Sequence, residues 1–139
     1  MNLWEFVEKN IHKKVDFDGA YGAQCVDLFR QYLKDVYELK EHTGAVEGAK
    51  DLFLNHQKLP VQCKYLCLAD QFIKAKPGWI AIWGSTTTNK YGHVAIVLED
   101  KGGCLAVFEQ NGFTQDGAKI TMRNKTNLLG YMLKREEYL

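Results

Sequence analysis

Residues 16 to 27 read Asp16-Phe17-Asp18-Gly19-Ala20-Tyr21-Gly22-Ala23-Gln24-Cys25-Val26-Asp27 and bring three carboxylates together with one cysteine. A helical pattern follows from Cys25 to about Leu39, so the thiol opens a helix, where the backbone dipole favours a thiolate. Asp16, Asp18 and Asp27 fall at positions 1, 3 and 12 of the segment, the spacing of acids in a calcium loop. The segment is not an EF-hand. Position 5 is Ala20, which offers only a carbonyl, position 6 is Tyr21 instead of glycine, and position 12 is Asp instead of Glu. A solvated turn with capping acids also explains Asp16 and Asp18. It explains Asp27 less well, because Asp27 sets a negative charge beside a thiol that would have to ionise.

A nucleophile needs a base, and His93 is the candidate. It opens the apolar run His93-Val94-Ala95-Ile96-Val97-Leu98, which turns at Asp100-Lys101-Gly102-Gly103 into Cys104-Leu105-Ala106-Val107-Phe108-Glu109. A hairpin centred at Lys101 opposes His93 to Glu109 and Tyr91 to Asn111, with the paired Cβ atoms about 5 Å apart. A histidine beside a carboxylate on a rigid sheet makes a base with its orienting group. A centre half a residue away opposes His93 to Gln110 instead, and a buried His–Glu pair can also be purely structural. His12, His42 and His56 lie in polar, helix-like surroundings and read as surface residues.

The elements that must position these groups change character along the chain. Asn2 and Glu5 form a capping-box pair before a first helix whose apolar stripe is Leu3, Phe6, Val7 and Ile11. Val26, Phe29, Leu33, Val36 and Tyr37 mark the buried face of the second helix. Ala49 to about Asn55 forms a third. Beyond Pro60 five strands are expected: residues 79–83, 93–98, 104–109, 119–122 and 129–133. Helices followed by an antiparallel sheet make an α+β fold, and the 139 residues form a single domain, 1–139.

Composition narrows the function classes. A net charge of +1 gives no electrostatic case for nucleic acid or anionic membrane. No apolar run reaches the length of a membrane span, and Met1-Asn2-Leu3-Trp4-Glu5 lacks the pattern of a secretory signal. Cys63, Cys67 and Cys104 read as buried small hydrophobes. Disulfides are not needed at this length, and Cys63-x3-Cys67 has no second ligand pair for a metal cluster.

Four segments occur in one order: Tyr21-Gly22-Ala23-Gln24-Cys25-Val26-Asp27-Leu28, Pro77-Gly78-Trp79-Ile80-Ala81-Ile82-Trp83, Gly92-His93-Val94-Ala95-Ile96-Val97 and Phe108-Glu109-Gln110-Asn111-Gly112. Together they resemble the cysteine, histidine-dependent amidohydrolase/peptidase (CHAP) domain of phage endolysins and bacterial cell-wall hydrolases. The resemblance covers nearly the whole chain. It implies a papain-like fold and cleavage of a peptidoglycan amide bond by an endopeptidase or an N-acetylmuramoyl-L-alanine amidase. Cys25 matches the nucleophile, His93 the base, Glu109 its orienter and Asn111 the polar residue after it. The Cys25 N–H and Gln24 would meet the oxyanion, and Tyr21, Trp83 and Tyr91 would wall the groove. Structural Ca²⁺ on Asp16, Asp18, Asp27 and the carbonyls of Ala20 and Gly22 is implied, with no organic cofactor. The resemblance further implies a phage-encoded protein made in the host cytoplasm and acting on the wall after release, with a separate wall-binding domain or chain. One departure is Trp79, where the family commonly has Asp; this costs a turn hydrogen bond and touches no catalytic group. A non-catalytic, calcium-stabilised wall-binding module and a cysteine N-acyltransferase are the alternatives.

Overall fold

The computed structural model describes every residue except Tyr21, Gly112 and Leu139. Helix α1, Leu3–Asn10, starts from the expected capping box: the Glu5 N–H donates to Asn2 Oδ1 at 2.9 Å and the Asn2 N–H to Glu5 Oε1 at 3.1 Å. Its face buries Leu3, Phe6 and Val7, with Phe6 edge-on to Tyr32 at 5.3 Å and to Phe108 at 6.1 Å. Helix α2, Cys25–Asp35, stops four residues before the expected Leu39. Glu38 takes a left-handed conformation (φ 60°), and the Leu39 N–H closes the end on the Leu33 carbonyl at 3.0 Å. No glycine signals this stop. Phe29, Leu33 and Tyr37 are buried as expected, and Leu28 and Tyr32 join them. Val26 and Val36 are only half-buried.

After α3, Asp51–Leu54, and a 3-10 turn, His56–Lys58, two elements depart from expectation: α4, Pro60–Tyr65, and β1, Leu66–Asp70. Pro60 stands at the first position of α4, where its missing N–H costs nothing, so it starts a helix there. The remaining strands are β2 (Ile80–Trp83), β3 (His93–Asp100), β4 (Cys104–Glu109), β5 (Lys119–Asn124) and β6 (Leu128–Lys134); α5, Arg135–Tyr138, follows. They form one six-stranded sheet in the order β1-β6-β2-β3-β4-β5, with every neighbouring pair antiparallel. Edge strand β1 pairs only with the distant β6, which a local pattern cannot reveal.

Both sheet faces are buried over the central strands β6, β2 and β3. Ile80, Ile82, Val94, Ile96, Phe108 and Met132 pack with the helices. Ala81, Trp83, Ala95, Val97, Val107, Tyr131 and Leu133 form a second cluster, in which Trp79 meets Tyr131 at 5.8 Å. This accounts for near-continuous apolar strands in place of strict alternation. Two side-chain expectations need correction. His56 is buried, with its Nδ1 at 2.7 Å from Gln62 Nε2, because α4 folds back over it. Cys63, Cys67 and Cys104 lie outside disulfides and are half-buried, not fully buried as expected.

The β3–β4 register also differs from expectation. Val97 faces Val107 and Ile96 faces Phe108; extended, this sets Ala95 opposite Glu109 and His93 opposite Asn111. The tight turn, with the Lys101 N–H on the Cys104 carbonyl, moves the pairing by three residues, and a bulge at Leu98 returns one. The net displacement is even. His93 and Glu109 therefore remain on one face as diagonal neighbours, whereas an odd shift would have separated them. The bulge is thus what keeps the two side chains together.

Candidate active site

Cys25 is the first residue of α2, and its N-terminal turn is braced from within: the Gln24 N–H donates to Asp27 Oδ2 at 2.9 Å. Across the cleft, β3 begins at His93. Gly92, at φ 76°, lets this strand approach β2 so closely that a Cβ there would lie 2.4 Å from the Trp83 carbonyl oxygen. Cys25 stands close enough to the His93 ring for its thiol to raise the ring's pKa. Its Nε2 lies 3.0 Å from Glu109 Oε1, which leaves Nδ1 for the thiol. Helix start, strand start and strand end therefore converge on one Cys–His–Glu chain.

The electrostatics suit that chain. Burial alone would lower the His93 pKa, but hydrogen bonds and charges from Cys25 and Glu109 outweigh it and raise the ring to about 8. Burial would raise Glu109. Bonds to His93 and Arg123 instead hold it down at about 2, so it stays ionised. Arg123 is the functional residue that the sequence reading missed. Its Nε donates to Glu109 Oε1 and its Nη2 to Oε2 at 3.0 Å, a two-point grip on a carboxylate whose side chain is 3% exposed. The expected strand ended at Met122, one residue short. The period of two on β5 sets Arg123 on the side of Lys119, which pairs with Glu109, and this was the available signal. Trp83 completes the cluster, with its ring 5.8 Å from that of His93 and 5.9 Å from the Arg123 guanidinium carbon.

A cleft of about 1290 Å³ runs past Cys25 and His93. Gln24, Trp83, Tyr91 and Asn111 all line it, and Gln24 and Tyr91 are exposed to it. The Asn111 Oδ1 accepts the Phe113 N–H at 2.8 Å and caps the following turn. Tyr21 lies outside the described residues.

Asp16, Asp18 and Asp27 do converge, with one oxygen from each within 4.8 Å of the others, the one such cluster of acids, histidines or cysteines among the described residues. Asp27 is buried, and burial first, then Asp18 and Asp16, push its carboxyl up, only partly offset by the Gln24 N–H. Such mutual repulsion is what a hard cation relieves, so the donor set fits Ca²⁺. Buried Arg30 feels the charges of Asp27 and Asp18 and offsets part of the repulsion, while its own guanidinium is held by Thr43 and the Gly44 carbonyl. Ala20 donates its N–H to Asp18 Oδ1 at 2.9 Å, and Gly22, at φ 75°, packs against Gln115.

Comparison with known proteins adds the context. The family description "CHAP domain" matches residues 14–111. Endolysin PlyTW of Staphylococcus phage Twort is 31% identical over 112 residues, 76% of this chain and 22% of the relative. Endolysin LysK of Staphylococcus phage K is 31% identical over 120 residues, 78% of this chain and 21% of the relative. The chain thus spans about a fifth of the length of these curated relatives. Among solved structures, the wild-type endolysin LysIME-EF1 aligns over 93% of this chain and 61% of its own, with a TM-score of 0.66 at 21% identity. Ly7917 aligns over 93% and 59%, with a TM-score of 0.65 at 19% identity. These two structures share the α+β fold described above.

Proposed function

The chain belongs to the CHAP domain family, and from that premise we propose that it hydrolyses an amide bond of bacterial peptidoglycan through a cysteine thioester. The observation that carries the proposal is that Cys25 and His93 line one open cleft, with Glu109 hydrogen-bonded to the His93 ring. His93 takes the Cys25 proton, and Glu109, held ionised by Arg123, orients the ring and balances the imidazolium. The thiolate attacks the amide carbon. The Cys25 N–H and the Gln24 side chain meet the developing oxyanion. His93 then protonates the amine, the C–N bond breaks, and the acyl group remains on sulfur. Water adds to the thioester, gives its proton to His93, and the C–S bond breaks to leave a carboxylate.

Trp83 and Tyr91 wall the groove in this reading, and Asn111 lines it beside the turn that it caps. Asp16, Asp18 and Asp27, with the carbonyls of Ala20 and Gly22, would hold Ca²⁺, which when bound neutralises the acids and stiffens the loop that leads to Cys25. Among the described residues no helix is long and apolar enough to cross a membrane. The two curated relatives are phage endolysins. By extension we place this chain as phage-encoded, made in the host cytoplasm, acting on the wall after release, and working with a separate wall-binding domain or chain.

Mass spectrometry of digested Gram-positive walls tests the proposal. An amide hydrolase releases new amino and carboxyl ends and no reducing sugar ends, and the position of the new amine separates endopeptidase from amidase. Release of reducing sugars, or lysis that survives Cys25→Ala, would overturn the reading. Binding to walls without cleavage would favour a wall-binding module instead.

A further inference from the structure

Gln110 immediately follows Glu109 at the end of β4, and its side chain is fully buried. Its Oε1 accepts the Val15 N–H at 2.8 Å. Its Nε2 donates to the Val15 carbonyl at 2.7 Å and to the Gln24 carbonyl at 2.8 Å. Both amide hydrogens are therefore committed, and one side chain ties the two ends of the acidic loop to the strand that carries Glu109. The Gln24 carbonyl belongs to the peptide whose other end is the Cys25 N–H. In a trans peptide the C=O and N–H point in opposite directions, so fixing one aims the other. Within α2 the Asp27 N–H reaches that carbonyl at 3.1 Å and the Leu28 N–H only at 3.4 Å. Of these described bonds Gln110 supplies the shortest, and it comes from outside the helix.

We propose that Gln110 is the positioning residue of the oxyanion site, locking the Gln24–Cys25 peptide so that the Cys25 N–H faces the reacting carbonyl. This rests on the reading of Cys25 as the nucleophile and adds a residue to it. Gln110 touches neither substrate nor thiol. It acts through one peptide plane, and its place beside Glu109 couples the oxyanion donor to the strand that orients the base.

The test separates attack that needs an oxyanion site from attack that does not. Alkylation of Cys25 by iodoacetamide displaces iodide at a saturated carbon and forms no oxyanion, whereas wall hydrolysis does. Gln110→Glu keeps the length and the acceptor for the Val15 N–H but turns the donating nitrogen into an oxygen facing two carbonyls. The expected result is wall lysis reduced about tenfold to hundredfold, in the range for losing an oxyanion donor. The rate of Cys25 alkylation should stay within about twofold of the parent, a margin of under half a kcal/mol. Lysis within twofold of the parent overturns the proposal. Equal loss of lysis and alkylation also overturns it, because Gln110 would then be only a structural strut. If Gln110→Glu is unfolded at the assay temperature, Gln110→Met, of similar length and neutral, carries the same expectation, and collapse of both assigns Gln110 to the fold alone. Lysis by a Cys25→Ala chain would instead remove the underlying reading.

Discussion

Arg123→Gln isolates the grip on Glu109. In the parent, Glu109 is held at about 2 against its ordinary 4.5, by His93 first and Arg123 second. That displacement corresponds to about 3 kcal/mol of preference for the folded, ionised state. Arg123 supplies the smaller part and its side chain is 36% exposed, so solvent screening leaves it about 1 kcal/mol. For a chain of this size that lowers Tm by about 3–5 °C at pH 7. The sign follows from linkage. A depressed carboxylate contributes stability that is complete above its unfolded pKa and is lost as pH falls through its folded pKa. The gap between parent and variant should therefore be constant above about pH 4.5 and shrink as pH falls toward 2. Urea unfolding at pH 7, 4 and 3 measures it. Lysis should fall about tenfold, because a carboxylate with one anchor fewer orients His93 less well. A gap that is absent at pH 7, or unchanged down to pH 3, would refute the account of this ion pair.

Three further outcomes follow from the same geometry. His93→Ala should abolish lysis as fully as Cys25→Ala, while Glu109→Gln should be milder; turbidity assays with circular dichroism as a folding control compare them, and full activity in Glu109→Gln would remove Glu109 from the site. His93 is raised to about 8, so its contribution of about 2 kcal/mol is complete below pH 6.5 and lost as pH rises through about 8; Tm of the parent should fall over that window, and a flat profile contradicts the pairing. Chelation should lower Tm and activity, Ca²⁺ should restore both better than Mg²⁺, and Asp18→Ala should abolish the rescue; an EDTA-treated chain with unchanged Tm and lysis would reduce the loop to a polar turn.

Much of the site was legible because its chemistry sits in short segments. Cys25 opening α2, the Asn2–Glu5 cap and the acid spacing are local and survive folding unchanged. The His93–Glu109 pair was found on a wrong register. It stands because the turn and the Leu98 bulge err by an even number of residues together, and no local pattern announces a bulge. What escaped depends on distant partners. β1 becomes a strand only through β6, His56 is buried only by α4, and Arg123 acquires meaning only where β5 lies beside β4. Gln110 was quoted as part of a motif, but its three backbone partners lie about 90 residues away.

The most direct test of the central claim is competitive alkylation. All four cysteines lie outside disulfides and are half-buried, so burial alone favours none of them. Limited iodoacetamide labelling followed by peptide mass spectrometry should find Cys25 modified well before Cys63, Cys67 and Cys104, and His93→Ala should erase that lead. Labelling of all four at similar rates in the parent, or a Cys25 lead that survives His93→Ala, would contradict a thiol activated by His93.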